Sequence, residues 1–364
     1  MARKVKVLEF LPGLNYGGAQ AMIINLCRNI DYDVVQCDFI IDHADFLDMK
    51  ELVESFGAQV FVMSSFKGTN LKEVKAAWDR FFEEHDYDVI HCHVRSYSFI
   101  VMQIAKKHGL KAIIHSHNTS NGKGLGSMIR AITQLPLRKT ADYFFGCSKE
   151  AGEWLFGERI TKGDRFYVIN NGIDTDRFTY DEKVRLKYRE RFAIGDERVF
   201  IQVGRMFAQK NYPFTLDAFA AYLSDEKEGK LFIVGDGEEE DAIRNRIEEL
   251  HLAQDVTILQ YRDDVDKLLQ MADVFLMPSL YEGLSVACVE AQSSGIPCLC
   301  SDRCDRNVDI TGNCRFLPLD TAEWVAAMKE EYALRRPYKD EIVSAGFDAR
   351  NNAKWLQDFY SSIV

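Results

Sequence analysis

Short apolar runs alternate with amphipathic stretches along most of the chain. In the first half, the apolar runs fall at residues 4–11, 34–41, 59–63, 87–91, 111–115, 141–147 and 166–169. Between them, apolar residues recur three and four positions apart, as at 19–29, 48–56, 71–84 and 98–108. The short runs predict strands that are buried on both faces, and the periodic stretches predict amphipathic helices. The alternation therefore predicts a mostly parallel sheet with helices on both sides.

The second half repeats this alternation. Its apolar runs lie at 199–203, 230–234, 256–259, 272–277 and 296–300, and its helical patterns at 239–249 and 265–271. A chain of 364 residues exceeds one compact domain and suits two domains of about 180 residues each. The polar stretch 179–190 is typical of a linker, so we expect the hinge near 175–190. We predict two doubly wound α/β domains, at 1–178 and 190–344, with an aromatic-bearing tail helix at about 345–364.

Composition narrows the class of protein. A hydrophobic content of 47% supports ordinary globular cores. No apolar run approaches the roughly 20 residues that a membrane span needs. Nine cysteines without a CxxC pair favour a reducing, cytoplasmic setting. We expect no metal at Cys298, Cys300 and Cys304, because no histidine lies near them in the sequence. The net charge of −11 argues against a nucleic-acid partner.

The charge is unevenly distributed along the chain. Residues 89–141 contain eight basic and no acidic side chains, so this segment carries +8 and the remainder −19. Such asymmetry favours an anionic partner near the N-terminal half. Within this segment, residues 120–140 begin Gly-rich and continue as a short basic helix. They form either a loop followed by a packed helix or an interfacial patch for an anionic membrane or lipid-phosphate acceptor.

The most informative stretch is PSLYEGLSVACVEAQSSGIPCLCSD, residues 278–302. It follows a strand pattern, and Ser285 is a typical N-cap for the helix that comes next. Gly295 and Pro297 are typical of that helix's end and of the residues just beyond it. The stretch therefore predicts a strand, a loop, a short helix and a further strand of a parallel sheet.

Two carboxylates lie near the start of this helix. Its free N–H groups, around Leu284 and Ser285, favour an anion such as a diphosphate. Glu282 precedes them in the loop and Glu290 follows in the helix. There they could accept hydrogen bonds from the hydroxyls of a sugar and a ribose. Two glutamates eight positions apart are common, so the spacing alone indicates little, and the pair is also compatible with a loop charge and a solvated helix residue.

Two further loops after strands carry candidate chemistry. Gly17 and Gly18 follow the first strand, where they allow either a close backbone approach to a ligand or a tight turn. Arg205 and Lys210 follow the strand at 199–203. Two cations there suit an anion such as a diphosphate. Without further context, basic residues on a loop are not specific.

Histidines occur in two pairs, His91 with His93 and His115 with His117. Residues two apart on a strand share a face, but a metal site would need a third ligand. The pairs mark the carboxyl ends of two predicted strands, where open α/β sheets bind ligands. A histidine there could hydrogen-bond a sugar hydroxyl, or it could be structural.

The stretch at 278–302 resembles the signature of retaining glycosyltransferases of family 4, which have the GT-B fold. Their Glu-x7-Glu motif matches Glu282 and Glu290, and Gly295 and Pro297 also match. The resemblance implies two Rossmann-like domains facing a cleft, with a C-terminal helix that crosses back to the N-terminal domain. It also implies transfer from a nucleotide sugar with retention of configuration and without a metal. One departure is DRCDRNVDITGN at 302–313, where members often carry Gly-Gly-x-x-Glu, so we assign this loop no role.

The resemblance also implies roles for single residues. The catalytic positions would be His117, with His115 as the alternative register, together with Glu282, Arg205 and Lys210. Arg205 and Lys210 would hold the diphosphate and Glu290 the ribose. Glu282 would bind the sugar 3- and 4-hydroxyls, and His117 would bind the 6-side. The donor would further be lined by Gly18, Gly235, Tyr261, Leu284 and Ser285.

From the resemblance we expect a UDP-sugar donor, no cofactor, and a glycan or lipid-linked acceptor in cell-surface polysaccharide synthesis. The expected location is the cytoplasm, peripherally on the inner face of the plasma membrane through residues 89–141. Two alternatives are a GT-B sugar-nucleotide epimerase and a non-catalytic nucleotide-sugar-binding homologue. The intact Arg205, Lys210, Glu282 and Glu290 argue against the second.

Overall fold

The computed structural model describes residues 3–15, 17–117, 134–260, 262–330 and 335–364. The chain divides into two compact units, Met1–Gly172 with Ala349–Val364, and Ile173–Asp348. Each unit is built on one sheet whose paired strands are all parallel. No helix in the described ranges is long and apolar enough to cross a bilayer. The predicted α/β class with two Rossmann-like domains is confirmed.

The sheet of the first unit has the strand order β3-β2-β1-β4-β5-β6-β7. Its strands are β1 Val5–Leu11, β2 Val35–Ile41, β3 Val60–Val62, β4 Val89–Cys92, β5 Lys111–Ser116, β6 Tyr143–Gly146 and β7 Phe166–Val168. Its helices before the crossover to the second unit are α1 Gly18–Arg28, α2 Lys50–Ser55, α3 Leu71–Glu84, α4 Ser98–Lys107, α5 Leu137–Thr140, α6 Lys149–Phe156 and α7 Glu158–Thr161. The order reverses between β1 and β4, which is where open sheets of this type bind ligands.

The sheet of the second unit has the order β10-β9-β8-β11-β12-β13 and reverses between β8 and β11. Its strands are β8 Val199–Val203, β9 Lys230–Val234, β10 Val256–Leu259, β11 Val274–Met277, β12 Cys298–Ser301 and β13 Cys314–Leu317. Its helices are α8 Thr175–Phe178, α9 Glu182–Arg191, α10 Tyr212–Glu226, α11 Glu240–Glu249, α12 Val265–Met271, α13 Val286–Ser293, α14 Thr321–Lys329 and α15 Lys339–Ser344. The inner strands β8, β9, β11 and β12 are mostly buried because their apolar side chains meet helices on both faces of the sheet. The edge strands β10 and β13 are partly exposed.

The last helix, α16 Ala349–Ser362, belongs to the first unit. Its Tyr360 is fully buried, and the ring of Phe359 packs edge-on against Tyr143 at 5.1 Å. These aromatic contacts attach the helix to the face of the sheet that α1 also covers. The predicted return of the tail to the N-terminal domain is confirmed, although the helix begins at Ala349 rather than near 345.

The boundary between the units lies before the predicted hinge. Ile173 and Phe178 are buried in the core of the second unit, which therefore starts at Ile173 and not beyond 178. The stretch 179–190, predicted as a linker, forms most of α9. Its N-cap, Asp181, accepts hydrogen bonds from two backbone N–H groups, and Arg185 pairs with Asp273 at 2.5 Å. Charged contacts stabilise this helix, so it lacks the apolar periodicity by which helices are found in a sequence.

Candidate active site

The loops that follow β8 and β11 lie side by side at the carboxyl edge of the second sheet. The two strands are neighbours although β9 and β10 come between them in the sequence. At such a reversal, the connections leave the sheet in opposite directions and a ligand crevice forms between them. The predicted donor residues after both strands therefore come from adjacent loops.

Lys210 and Glu282 form an ion pair between these loops. Both side chains are largely buried, with exposed fractions of 20% and 16%. The sequence assigned them to different parts of a donor, whereas the structure joins them directly. Backbone and amide groups tie the loops together further, through Leu280 N to Gln209 O at 2.8 Å, Gln209 Nε2 to Tyr281 O at 2.9 Å and Asn211 Nδ2 to Pro278 O at 3.1 Å.

Arg205 lies in a different environment from Lys210. It is exposed, and its guanidinium lies over the ring of Phe207 at 4.7 Å. Lys210 instead lies close to the backbone of Gly204. A β-carbon added to Gly204 would be 3.2 Å from Lys210 Cε. The structure thus holds one of the two predicted cations against a carboxylate and leaves the other at the surface.

The loop after β9 packs against the β8 loop at backbone distance. A β-carbon on Gly235 would lie 2.1 Å from the carbonyl oxygen of Gly204, and one on Gly237 would lie 2.6 Å from that of Met206. Both glycines have a positive φ, 145° and 149°. Only glycine satisfies both the space and the backbone conformation here. Gly235 is therefore required for packing, while its role toward a nucleotide stays a prediction.

The predicted helix after the β11 loop is α13. Ser285 occupies the N-cap position, although its side chain makes no capping hydrogen bond. Ser285 is buried, and Leu284 packs against the core of the unit. Gly295 follows the helix with φ 74°, and a β-carbon there would meet Arg336 O at 2.4 Å. The start of α13 thus lies directly after Glu282, as the sequence predicted.

Glu290 is a half-buried carboxyl on α13. The pKa of Glu290 is raised to about 8, chiefly by burial. The positive charge of Arg177 lowers this pKa, and the negative charge of Asp266 raises it. Arg177 is itself bound to Asp266 at 2.7 Å. With a pKa of about 8, this carboxyl is mostly protonated at pH 7.

We predict that Glu290 makes the wild type less stable as the pH rises. The folded protein keeps the proton up to about pH 8, whereas the unfolded chain releases it near 4.5. Stability is thus lost between these values, and a glutamine at 290 escapes this loss. We expect the difference in Tm between Glu290→Gln and the wild type to increase in favour of the variant from pH 5 to pH 9. The increase should be about 2–4 °C for each kcal/mol of folding free energy that the wild type loses when Glu290 ionises. A Tm difference that does not change with pH would contradict this pKa.

The loop at 302–313, to which the sequence gave no role, supports Glu282. Asp305 N donates a hydrogen bond to Glu282 O at 2.9 Å, and Cys304 pairs with Glu282 in a β-bridge. Farther along the loop, Gln292 of α13 donates to Val308 O at 2.7 Å. Because β12 lies beside β11, this loop reaches the Glu282 backbone, a contact that depends on strand order and leaves no motif in the sequence.

Gly18, His117 and Tyr261 complete the predicted set. Gly18 begins α1, directly after the loop that follows β1. His117 follows β5 in the first unit. Tyr261 lies outside the described residues.

The first unit contains a buried cluster of histidines around Glu9. Glu9 Oε2 lies 2.8 Å from His93 Nε2, and His93 Nδ1 lies 2.8 Å from His117 Nε2. Tyr360 donates its hydroxyl proton to Glu9 Oε1 at 2.8 Å and lies 2.6 Å from His91 Nδ1. The two histidine pairs of the sequence therefore form one cluster at the reversal between β1 and β4.

The ionisation of this cluster follows from its burial. Burial raises the pKa of Glu9, but the charges and hydrogen bonds of His91 and His93 outweigh it and hold that pKa well below its usual range. Burial, aided by the charge of His91, lowers the pKa of His93 to about 4. Burial and the neighbouring histidines also lower the pKa values of His115 and His117 well below the usual range. Glu9 is therefore a carboxylate, and His93 is a neutral imidazole near pH 7.

Glu9 is a functional candidate that was not predicted from the sequence. Residues 4–11 have the pattern of an apolar strand, although a charged residue interrupts the run. Glu9 is opposite His91 in the β1–β4 register, and both are fully buried. An acidic residue in the middle of a buried strand is costly unless polar groups surround it, and this was the available signal.

Three groups of described residues could offer ligands to a metal, and Glu9, Cys27 and Cys37 form one of them. His91, His93 and His115 have nitrogen atoms within 4.8 Å of one another, which supplies the third histidine that the sequence pairs lacked. Both nitrogens of His93 already bind Glu9 and His117, however. Cys288, Cys298 and Cys314 also converge within 4.8 Å. These three cysteines lie on α13, β12 and β13, and Cys298 is paired with Cys314 in the sheet. They differ from the set Cys298, Cys300 and Cys304, at which the sequence led us to expect no metal.

Comparisons with known proteins decide the family. The model of "Glycosyl transferases group 1" matches residues 184–313, and that of "Glycosyltransferase Family 4" matches residues 16–177. A putative glycosyltransferase of Bacillus subtilis, EpsF, is 31% identical over 98% of this chain and 96% of its own. The chain belongs to the family 4 glycosyltransferases. The predicted family is therefore confirmed, and its sequence signature is the Glu282 to Glu290 stretch.

Two other proteins resemble this glycosyltransferase. The UDP-Gal:alpha-D-GlcNAc-diphosphoundecaprenol alpha-1,3-galactosyltransferase of Escherichia coli is 27% identical over 61% of this chain and 60% of its own. The crystal structure of Anabaena HepE in complex with UDP and glucose superposes with a TM-score of 0.75. That structure is 18% identical and covers 98% of this chain and 100% of HepE. The second likeness confirms the GT-B fold.

Proposed function

We propose that this glycosyltransferase moves a sugar from a nucleoside diphosphate sugar to a lipid-linked or glycan acceptor, with retention of configuration. The observation that carries the proposal is the Lys210–Glu282 pair at the reversal between β8 and β11. A cation and a carboxylate side by side suit a sugar diphosphate, which has negative charge on its phosphates and hydroxyl groups on its sugar. The cation faces the phosphate, and the carboxylate faces the hydroxyls.

The charge of Lys210 suits the leaving group. As the glycosidic bond breaks, negative charge collects on the diphosphate, and a fixed cation stabilises that state more than the ground state. The largely buried position of Lys210 strengthens this interaction relative to a solvated lysine. Arg205, exposed on the same loop, would reach the diphosphate from the surface. The N-terminal N–H groups of α13 add donors for an anion next to Glu282.

The carboxyl groups and His117 are assigned to hydroxyls. Glu282 would accept hydrogen bonds from the sugar 3- and 4-hydroxyls, and Glu290 would bind the ribose. His117 would contact the 6-side of the sugar. No residue is assigned as a covalent nucleophile. In the mechanism that the family resemblance implies, the acceptor attacks from the face that the diphosphate leaves, and the diphosphate helps to remove its proton.

UDP is the nucleotide that we propose for the donor. The names of two similar proteins support it, because HepE was crystallised with UDP and glucose and the E. coli relative is named for UDP-Gal. The latter name also contains a diphosphoundecaprenol-linked sugar, which supports a lipid-linked acceptor here. We propose cell-surface polysaccharide synthesis as the setting, as the family resemblance implies. The diphosphoundecaprenol-linked sugar in the name of the E. coli relative supports this setting.

Docking on an anionic membrane through residues 89–141 stays a prediction. Lys106 binds Asp142 at 2.6 Å, which neutralises one of the eight charges. Lys107 and Lys111 are exposed. Residues 118–133 of this segment, with the start of the proposed basic helix, lie outside the described residues.

We predict that UDP raises the Tm, and that GDP and ADP do so less. A ligand at a hundred times its Kd stabilises the protein by about 2.7 kcal/mol, which corresponds to about 5–10 °C for a unit of this size. Thermal unfolding with each nucleotide measures this. No shift with any of the three would contradict the donor site and favour another function. Incubating the sugar nucleotide without an acceptor and analysing the products separates transfer from epimerisation.

A further inference from the structure

The Glu9 cluster contains a directed chain of hydrogen bonds that runs from Glu9 through His93 to His117. The chain runs from Glu9 Oε2 to His93 Nε2 at 2.8 Å, and from His93 Nδ1 to His117 Nε2 at 2.8 Å. Glu9, His91 and His115 are fully buried and His93 nearly so. Few other groups can therefore exchange protons with this chain, and its polarity follows from the chemistry of its members.

The position of each proton can be derived from the carboxylate outward. An ionised carboxylate only accepts hydrogen bonds, so His93 must carry a proton on Nε2. A neutral imidazole has one N–H, so Nδ1 of His93 must accept. The partner at 2.8 Å, His117 Nε2, must then donate. Tyr360 donates to the other oxygen of Glu9 at 2.8 Å, which orients the carboxylate toward His93.

We propose that Glu9 and His93 are positioning residues that hold His117 in a single tautomer, with the proton on Nε2 and the lone pair on Nδ1. Nδ1 of His117 then accepts a hydrogen bond, and a hydroxyl group bound there donates one. This specifies how His117 can recognise a sugar hydroxyl, and to that extent it rests on the proposed function. A buried carboxylate that sets the tautomer of a histidine is a known way to prepare a ring for its partner.

Nitrogen-15 NMR of histidine-labelled protein tests the tautomers directly. The chain has eight histidines, and the variants His93→Gln and His117→Gln identify the two signals. At pH 7, His93 and His117 should each show a protonated Nε2 and an unprotonated Nδ1. A proton on Nδ1 of His117, or protons on both nitrogens of His93, would overturn the proposal. This measurement needs no substrate, so its result does not depend on the proposed function.

Kinetics tests whether the tautomer matters for the reaction. Glu9→Gln keeps the side-chain size but removes the charge that holds the proton on His93 Nε2, and should lower kcat/KM by about tenfold or more. The matched control is Cys27→Ala, because the Cys27 thiol also contacts Glu9, at 3.8 Å, without touching His93 or His117. The control should stay within about twofold of the wild type. Equal losses in both variants would show that Glu9 only packs the core, and would overturn the positioning role. Absence of transfer by the wild type with every nucleotide sugar would instead refute the proposed function, and the NMR result would decide the tautomer by itself.

Discussion

Lys210→Ala should reduce kcat/KM for sugar transfer by about 10²–10³-fold while leaving the protein folded. Its ammonium group is held against Glu282 between the β8 and β11 loops, which is where we place the diphosphate. Loss of this charge removes stabilisation that grows as the leaving group departs, so kcat should fall as well as the affinity for the donor. Steady-state kinetics with the donor that thermal unfolding identifies would measure both quantities.

The control for this variant is Lys267→Ala. Lys267 is exposed on α12 of the same unit, so its removal changes the net charge equally without touching the two loops. It should keep near wild-type kinetics. The UDP-induced rise in Tm should be lost in Lys210→Ala and kept in Lys267→Ala. If Lys210→Ala retained most of its rate, the diphosphate would have to bind elsewhere.

Gly235→Ala should destabilise the second unit by about 2–4 kcal/mol. Its methyl group would lie 2.1 Å from the carbonyl oxygen of Gly204, and the backbone has φ 145°. Relief requires the loops after β8 and β9 to move apart, since the obstacle is backbone and not a flexible side chain. Thermal unfolding should show a Tm lower by about 5–15 °C. Nucleotide binding should weaken too, because Lys210 follows Gly204 on the displaced loop.

Gly283→Ala is the matched control for the glycine. It lies in the β11 loop beside Glu282, and a β-carbon there would have no heavy atom within 4 Å. Its φ is not in the left-handed region, so alanine should change the Tm by only about 1–2 °C. A Gly235→Ala protein as stable as Gly283→Ala would mean that the two loops are not packed as closely as described.

Much of the fold could be predicted from local patterns. The predicted strands at 199–203, 230–234 and 256–259 and the helices at 71–84 and 265–271 agree with the structure to the residue. These segments combine a clear period with bounding turn residues, and the strands at 199–203 and 230–234 are mostly apolar because most of their residues are buried. The polar α9 could not be found in this way, because its stability comes from a cap and from arginines bound to Asp273.

The candidate site was likewise predictable from the sequence only in part. The sequence by itself determined the family and the functional residue types, since the stretch from Glu282 to Glu290 is contiguous and matches a motif. Only the tertiary structure decided which of these residues meet. Lys210 pairs with Glu282 because β8 and β11 are neighbours, and Glu9 reaches His93 because β1 lies beside β4. Strand order is set by how the whole chain packs its helices onto the sheet, and no local pattern of residues records it.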